Sequence, residues 1–123
     1  DGITWSEATL NGISSPNTRF YISRTPNGRI ILVNNDMTDD RRRMSVWLSE
    51  DDGETFAYKK IVDNPEYSTS YPDVDFFDNK IYLTYDRERT GEKEIRLLVF
   101  TEDDVISPYT ELRSKIVSKP NTV

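Results

Sequence analysis

Residues 49–56 read Ser-Glu-Asp-Asp-Gly-Glu-Thr-Phe and say more about the architecture of this chain than any other segment. Each position suits a tight turn between two strands. Gly53 permits a positive φ, and the Asp51 carboxylate can accept hydrogen bonds from the backbone N–H groups of the turn. Three further positions are expected to tie the strands together or to fill the space between sheets, namely Ser49, Thr55 and Phe56. The segment therefore predicts a structural turn.

The same pattern recurs at a spacing of 51 to 52 residues. Residues 2–5, Gly-Ile-Thr-Trp, match the last four positions of the pattern 51 residues earlier. Downstream, Ile30 and Ile81 are also 51 residues apart, and residues 101–104, Thr-Glu-Asp-Asp, stand where the next copy of the motif is expected. That copy lacks the glycine and the aromatic residue. A period of about 50 residues indicates internal duplication of a strand-rich unit.

Turn signals divide the chain into eight predicted strands, four in each repeat. The first four are predicted at residues 19–23, 29–35, 43–48 and 57–62. The second four are predicted at residues 71–77, 80–85, 94–100 and 112–117. Four short antiparallel strands are typical of one blade of a β-propeller. The predicted fold class is therefore all-β, with about two four-stranded antiparallel blades. A sandwich built from unrelated hairpins stays open as an alternative.

Two blades cannot close a ring. We therefore expect the chain to form part of a larger propeller, or to complete one by association with other copies of itself. In this interpretation residues 1–18 end a preceding blade, residues 19–62 and 71–117 form two blades, and residues 118–123 form a tail.

Composition limits the chemistry available to this chain. A net charge of −6 argues against a nucleic-acid partner. The chain has no cysteine and no histidine, which excludes a thiolate nucleophile, an imidazole base and the common zinc sites. No apolar run is long enough for a membrane span. Asp73, Asp75 and Asp78 follow strand alternation rather than a calcium loop, so neither a metal nor another cofactor is expected.

The motif at residues 49–56 resembles the Asp-box of the sialidase-like β-propellers, the neuraminidase or BNR-repeat family. The likeness to the C-terminal part of these proteins continues through residues 70–73, 79–86 and 90–95, and it covers nearly all of the chain. The resemblance implies a six-bladed propeller and a glycoside hydrolase that acts on sialic-acid-type glycans. It also implies that Asp-boxes lie on the outer rim, away from the catalytic centre, and it favours a secreted or periplasmic protein.

The resemblance also implies a site. Sialidases use a tyrosine nucleophile, an activating Glu, an acid/base Asp and three arginines that clamp the substrate carboxylate. Tyr71 lies at the position of the nucleophile, and Arg41 at that of the third arginine. Arg19, 52 residues before Tyr71, is a further candidate substrate contact. Pro72 and Asp73 follow Tyr71 where sialidases carry Ser, and the other site residues are expected upstream.

Structural alternatives remain for each of these residues. Tyr71 is a common strand residue, Arg19 can pair with an acidic neighbour, and residues 39–43 can form a solvated loop of ion pairs. The alternating charges at residues 86–89 are interpreted as solvated ion pairs. Two functions therefore stay open: a segment of a sialidase-like hydrolase, or a non-catalytic propeller module that binds glycan or protein.

Overall fold

Two antiparallel sheets make up the fold. The computed structural model describes residues 20–36, 41–62, 67–88, 94–112 and 114–118. The first sheet contains β1 (Tyr21–Arg24), β2 (Ile30–Asn35), β3 (Met44–Ser49) and β4 (Tyr58–Ile61). The second contains β5 (Thr69–Phe77), β6 (Lys80–Arg87), β7 (Glu94–Phe100) and β8 (Lys115–Ser118). Each sheet has four strands in chain order, which confirms the all-β class and the four-stranded antiparallel units.

The strands lie close to their predicted positions because the turn residues allow few other arrangements. Between β5 and β6, Asp78 and Asn79 have φ values of 51° and 65°. These values are typical of the type I′ turn that joins two strands through two residues. Between β1 and β2, Gly28 has a φ of 91° and its N–H donates to the Thr25 carbonyl at 2.9 Å.

A single hydrophobic core lies between the two sheets. Side chains alternate along a strand, so Ile31 and Val33 of β2 face this core, as do Leu83 and Tyr85 of β6. The remaining buried members come from both sheets and from the segments after β4 and β7: Met44, Val46, Leu48, Val62, Ile81, Leu98, Phe100 and Val105. Both sheets are needed to exclude water from these side chains, so neither sheet has a core of its own.

A short helix, α1 (Glu102–Ile106), stands where the degenerate copy of the turn motif was expected. A helix was not predicted here, because residues 101–104 were interpreted as a degenerate copy of the turn motif. The Thr101 hydroxyl accepts from the Asp104 N–H at 3.2 Å, and the Asp104 carboxylate accepts from the Thr101 N–H at 2.9 Å. This capping box starts a helix, and no glycine is present to make the alternative turn. None of the described residues forms a helix with the length and apolarity that crossing a membrane requires.

Glu102 of α1 ties the second sheet to the first. Its carboxylate accepts from Thr25 Oγ1 at 2.9 Å, from Asn27 Nδ2 at 2.5 Å and from Arg29 at 3.1 Å. Glu102 is buried, and its hydrogen bond raises the pKa of the Arg29 guanidinium above its ordinary value. A buried carboxylate is tolerated only when such partners replace its water. The contact therefore fixes α1 against the turn between β1 and β2.

The turn motif after β3 forms a closed set of hydrogen bonds. Thr55 donates to the Asp51 carboxylate from its N–H at 2.8 Å and from its hydroxyl at 2.6 Å. Ser49 Oγ donates to Asp51 at 2.7 Å and accepts from the Gly53 N–H at 2.9 Å. Gly53 has a φ of 89°, which L side chains rarely adopt. Phe56 is half-buried.

These bonds control the titration of Asp51. The hydrogen bonds from Thr55, followed by the one from Ser49, lower the pKa of Asp51 from 3.8 to about 2. They stabilise the ionised carboxylate, which is the usual effect of several donors on one acid.

We expect Glu102→Ala to lower the free energy of unfolding by about 3 kcal/mol, because Arg29 and the turn donors lose a buried charged acceptor. Asp103→Asn, at an exposed position of the same helix, is the matched control and should leave stability nearly unchanged. Urea unfolding followed by tryptophan fluorescence measures both. A loss below about 0.5 kcal/mol for Glu102→Ala would contradict the tie between the sheets.

Asp51→Asn is expected to lower stability at neutral pH and to weaken its dependence on acid. A carboxylate whose pKa is lowered by folding contributes stability above its unfolded pKa, and the contribution is lost as pH falls through the folded pKa. The gap between wild type and variant should therefore close between about pH 4 and about pH 2. Urea midpoints across this range measure it, with Glu54→Gln as the charge-matched control in the same turn. A stability difference between wild type and Asp51→Asn that stays constant with pH would contradict the lowered pKa of Asp51.

Candidate functional site

The segment that carries Arg41 is hydrogen-bonded to the first strand of the second sheet. The Thr69 N–H donates to the Arg41 carbonyl at 2.5 Å. Asn35, which is fully buried, donates from its side-chain amide to the carbonyls of Thr69 at 3.0 Å and Arg42 at 3.2 Å. These bonds hold the backbone on both sides of the junction, so the start of the Arg41 side chain is fixed relative to β5.

Tyr71 lies in a bulge of β5. Ser70 pairs with Asp86 and Asp73 pairs with Thr84, so two residues of β5 oppose one residue of β6. Tyr71 has a φ of 53° at this point. Pro72, which follows, is buried and has no N–H to donate, a residue type that the ladder accepts at a bulge. The sequence predicted Tyr71 as the first residue of this strand. It is the third, because the ladder of β5 begins at Thr69.

Arg41 and Tyr71 meet at this bulge. The guanidinium carbon of Arg41 lies 5.6 Å from the centroid of the Tyr71 ring. This distance is within the range of a cation–π contact. Two residues that are 30 positions apart in the sequence, and that were both predicted as site residues, are thus neighbours in space.

Strained backbone is concentrated at the same end of the sheets. Among the described residues other than glycine, six have a positive φ, and three of them, Asp52, Asp78 and Asn79, lie in tight turns that require it. The other three are Tyr71 itself at 53°, Arg43 at 58°, two residues after Arg41, and Glu88 at 53°, which is hydrogen-bonded to Ser68 at the start of β5. Such residues cost roughly 1–3 kcal/mol each and cluster at functional sites. The strain therefore marks this end of the sheets as a candidate site.

A second arginine stacks on a second tyrosine beside the first pair. The guanidinium carbon of Arg87 lies 3.6 Å from the centroid of the Tyr67 ring. Arg87 pairs with Thr69 in the β5–β6 ladder. The Glu88 carboxylate accepts from the Ser68 N–H at 2.9 Å, which closes this edge. This pair was not predicted from the sequence, because residues 86–89 were interpreted as solvated ion pairs. Two tyrosines four residues apart at a strand start were the available signal.

Two acidic side chains, Asp36 and Glu94, have basic partners. Asp36 forms ion pairs with Lys59 and, at 3.7 Å, with Arg43. Glu94 is buried and pairs with Arg96 at 2.7 Å. Within the part of the chain that the structure describes, no group of three or more acidic residues is arranged to hold a metal ion.

The remaining predicted residues lie elsewhere. Arg19 falls outside the described residues. The turn motif at residues 49–56 lies at the opposite end of β3 from Arg41, a separation of about 20 Å for a six-residue strand. A crevice of about 190 Å³ also opens at that far end, lined by Pro26, Phe76 and Phe77 among others. Its lining includes neither Arg41 nor Tyr71, so the crevice lies apart from the predicted site residues.

Comparison of the sequence with known protein families identifies one family. The profile of the BNR repeat-like domain matches residues 1–82, which is more than half of the chain. No curated protein and no solved structure gives a significant match. The family match, the Asp-box turn and the two similar sheets agree, and the chain belongs to the BNR repeat-like family of sialidase-like Asp-box proteins.

Proposed function

We propose that this chain is a segment of a sialidase-like glycoside hydrolase that acts on sialic-acid-type glycans. The observation that carries the proposal is the position of Arg41 over Tyr71 at a strained bulge. Arginine is the side chain best suited to a planar carboxylate, and tyrosine is the nucleophile of sialidases. The two residue types are brought together by backbone bonds between the sheets rather than by chain neighbourhood.

The two sheets are, in this proposal, successive blades of a six-bladed propeller, formed by residues 19–62 and 71–117. Exposed apolar side chains on the outward face of each sheet support this arrangement of blades. On the first sheet Ile22 is 54% exposed, and on the second Phe77 is 71% and Val99 44% exposed. Apolar faces on both sides are what an internal pair of blades presents to its neighbours. Those neighbours are either further blades of the same protein, with residues 1–18 ending one of them, or other copies of this chain.

Arg41 binds the carboxylate of the sugar in this mechanism. The guanidinium presents parallel N–H donors that match the two carboxylate oxygens, and such charge-assisted bonds are roughly twice as strong as neutral ones. The guanidinium carbon of Arg41 lies 5.6 Å from the centroid of the Tyr71 ring. The carboxylate is thereby held next to the phenol.

Tyr71 acts as the nucleophile. Its Oη forms a bond to the anomeric carbon while the bond from that carbon to the aglycone oxygen breaks. The phenol proton passes to a carboxylate base, and the aglycone oxygen takes a proton from a carboxylic acid. Water then cleaves the tyrosine–sugar bond, which releases the sugar and restores the phenol. The base and the acid are the Glu and Asp that other parts of the intact protein provide.

A non-catalytic glycan-binding module is the second candidate. The observation that favours it is Pro72, buried in the bulge next to Tyr71, since sialidases carry a different sequence after the nucleophile. In this case Arg41 and Tyr71 form a binding surface, with the guanidinium contacting the carboxylate and the ring packing against the sugar. Turnover separates the two functions, because only the hydrolase uses the Tyr71 hydroxyl as a nucleophile.

Arg41→Gln should weaken the binding of free sialic acid by about 10–100-fold, because a charge-assisted contact is lost. Arg41→Lys keeps the positive charge but lacks the parallel N–H donors of the guanidinium. Its affinity for sialic acid should therefore lie between those of wild type and Arg41→Gln. Calorimetric titration of the intact protein measures all three. Arg24→Gln, an exposed arginine at the far end of the first sheet, is the control. Equal affinity of Arg41→Gln and wild type would exclude Arg41 as the carboxylate ligand.

Tyr71→Phe separates the enzyme from the binding module. In the hydrolase, kcat on a fluorogenic sialoside should fall at least about a thousandfold while sialic-acid affinity stays within about twofold. Undiminished turnover by Tyr71→Phe would eliminate Tyr71 as the nucleophile. No turnover by wild type, combined with unchanged binding in both proteins, would instead establish the non-catalytic module.

A further inference from the structure

One buried amide connects the segments that carry Arg41 and Tyr71. Asn35 is the last residue of β2, and its side chain is fully buried. Its Nδ2 group donates to the Thr69 carbonyl at 3.0 Å, to Thr69 Oγ1 at 3.1 Å and to the Arg42 carbonyl at 3.2 Å. A single NH2 group of the first sheet therefore holds the segment before β3 and the first residue of β5 together.

The partners of this amide are the near neighbours of the two site residues. Arg42 follows Arg41 directly, and Thr69 precedes Tyr71 by two residues. Thr69 is buried and adds two bonds of its own to the Arg41 carbonyl, from its N–H at 2.5 Å and from its hydroxyl at 3.3 Å. The Thr69 hydroxyl thus accepts from Asn35 and donates to Arg41. The position of Arg41 relative to Tyr71 depends on this closed set of bonds.

The donors of Asn35 are the part of the amide that this position uses. Its Oδ1 atom has no hydrogen-bond partner among the described residues. Three oxygen acceptors, in contrast, converge on its nitrogen. Buried acceptors that lose their donor are costly, and an acceptor in place of the donor would also repel them. Asn35→Asp, which has the same shape but no NH2 group, therefore removes the function of the side chain without changing its size.

We infer that Asn35 is a positioning residue for the candidate site, which holds the Arg41 guanidinium at the distance from the Tyr71 ring that sialic acid requires. Asn35 is buried between the sheets, so it acts through Arg41 rather than by touching the sugar. Recognition groups must be held within about 0.5 Å of their productive geometry by such supporting bonds. This inference rests on the proposed sialic-acid site at Arg41.

Asn35→Asp in the intact protein should bind free sialic acid about tenfold more weakly than wild type at neutral pH, because Arg41 is displaced. Calorimetric titration of the folded variant measures this. The difference from wild type should shrink as the pH falls from about 7 to about 5, since a buried carboxyl group that faces carbonyl oxygens favours its protonated form and then donates again.

Glu102→Ala is the control for a general loosening of the sheets. It removes a different buried contact between them, at the far end from Arg41. Its stability should fall, as expected above, while its affinity for sialic acid should stay within about twofold of wild type. Urea unfolding of both variants shows whether the comparison is made at a similar loss of stability.

A double-mutant cycle with Arg41→Gln tests whether Asn35 acts through Arg41. In the Arg41→Gln background, Asn35→Asp should cause less than about twofold further loss of affinity. A merely structural role would cost the same factor in both backgrounds. Thr69→Val is a second variant for the same cycle and should weaken binding about threefold, whereas Thr69→Ser, which keeps the hydroxyl, should bind like wild type.

The outcomes separate this inference from the proposed function. Wild-type affinity in Asn35→Asp overturns the positioning role and leaves the site at Arg41 intact. Equal losses in both backgrounds, or an equal loss in Glu102→Ala, also overturn it, because loosening of the sheets would then explain the effect. If Asn35→Asp does not fold, Thr69→Val in the same cycle gives the decision. A wild-type protein that does not bind sialic acid overturns the proposed function and the inference together.

Discussion

Burial of apolar side chains between the two sheets is the constraint on which the rest of this structure depends. Each sheet contributes one face of alternating residues, and the core exists only where the faces meet. The contacts that give the chain its particular features follow from this packing. It brings α1 against the first sheet, where Glu102 finds three partners. It also brings the start of β5 to the segment before β3, where Thr69 bonds to Arg41. Neither contact could be made by one sheet alone.

The two ends of the sheets have different physical characters. At one end lie the Asp-box, the type I′ turn and the buried Glu102, and every unusual backbone conformation there belongs to a turn that requires it. The Asp51 carboxylate at this end is satisfied within its own turn, by donors from Ser49 and Thr55. At the other end three strained residues, one of them Tyr71, accompany two arginine–tyrosine contacts. Backbone strain outside tight turns costs free energy of folding and is common at functional sites. The proposed ligand site is placed at the strained end for this reason.

The chemistry at this end depends on how arginine uses its two kinds of surface. A guanidinium stacked on a ring is oriented without using its edge, and the edge is the part that recognises a carboxylate. Contact with a ring also restricts the side-chain conformations of the cation, which lowers the entropy that is lost when a ligand binds. The bulge at Tyr71 also changes the direction of one side chain, because it interrupts the regular alternation of β5. Hydrolysis requires two carboxylates besides these groups, whereas binding requires only the arginines and the rings.

Local residue chemistry was sufficient to predict most of the fold. The 51-residue period, the Asp-box and the turn residues predicted the eight strands that the described residues form, because turns and alternation depend on near neighbours in the chain. The capping box at Thr101 was a local signal too, and it was missed because the residues were compared with the Asp-box instead. The candidate site depends on contacts between distant residues, which local chemistry does not predict. Tyr71 and Arg41 were predicted from a resemblance, but their contact, the bulge that begins at Ser70 and the stacking of Arg87 on Tyr67 depend on residues far apart in the chain. Only the packing of two sheets, which determines register and brings distant segments together, could decide them.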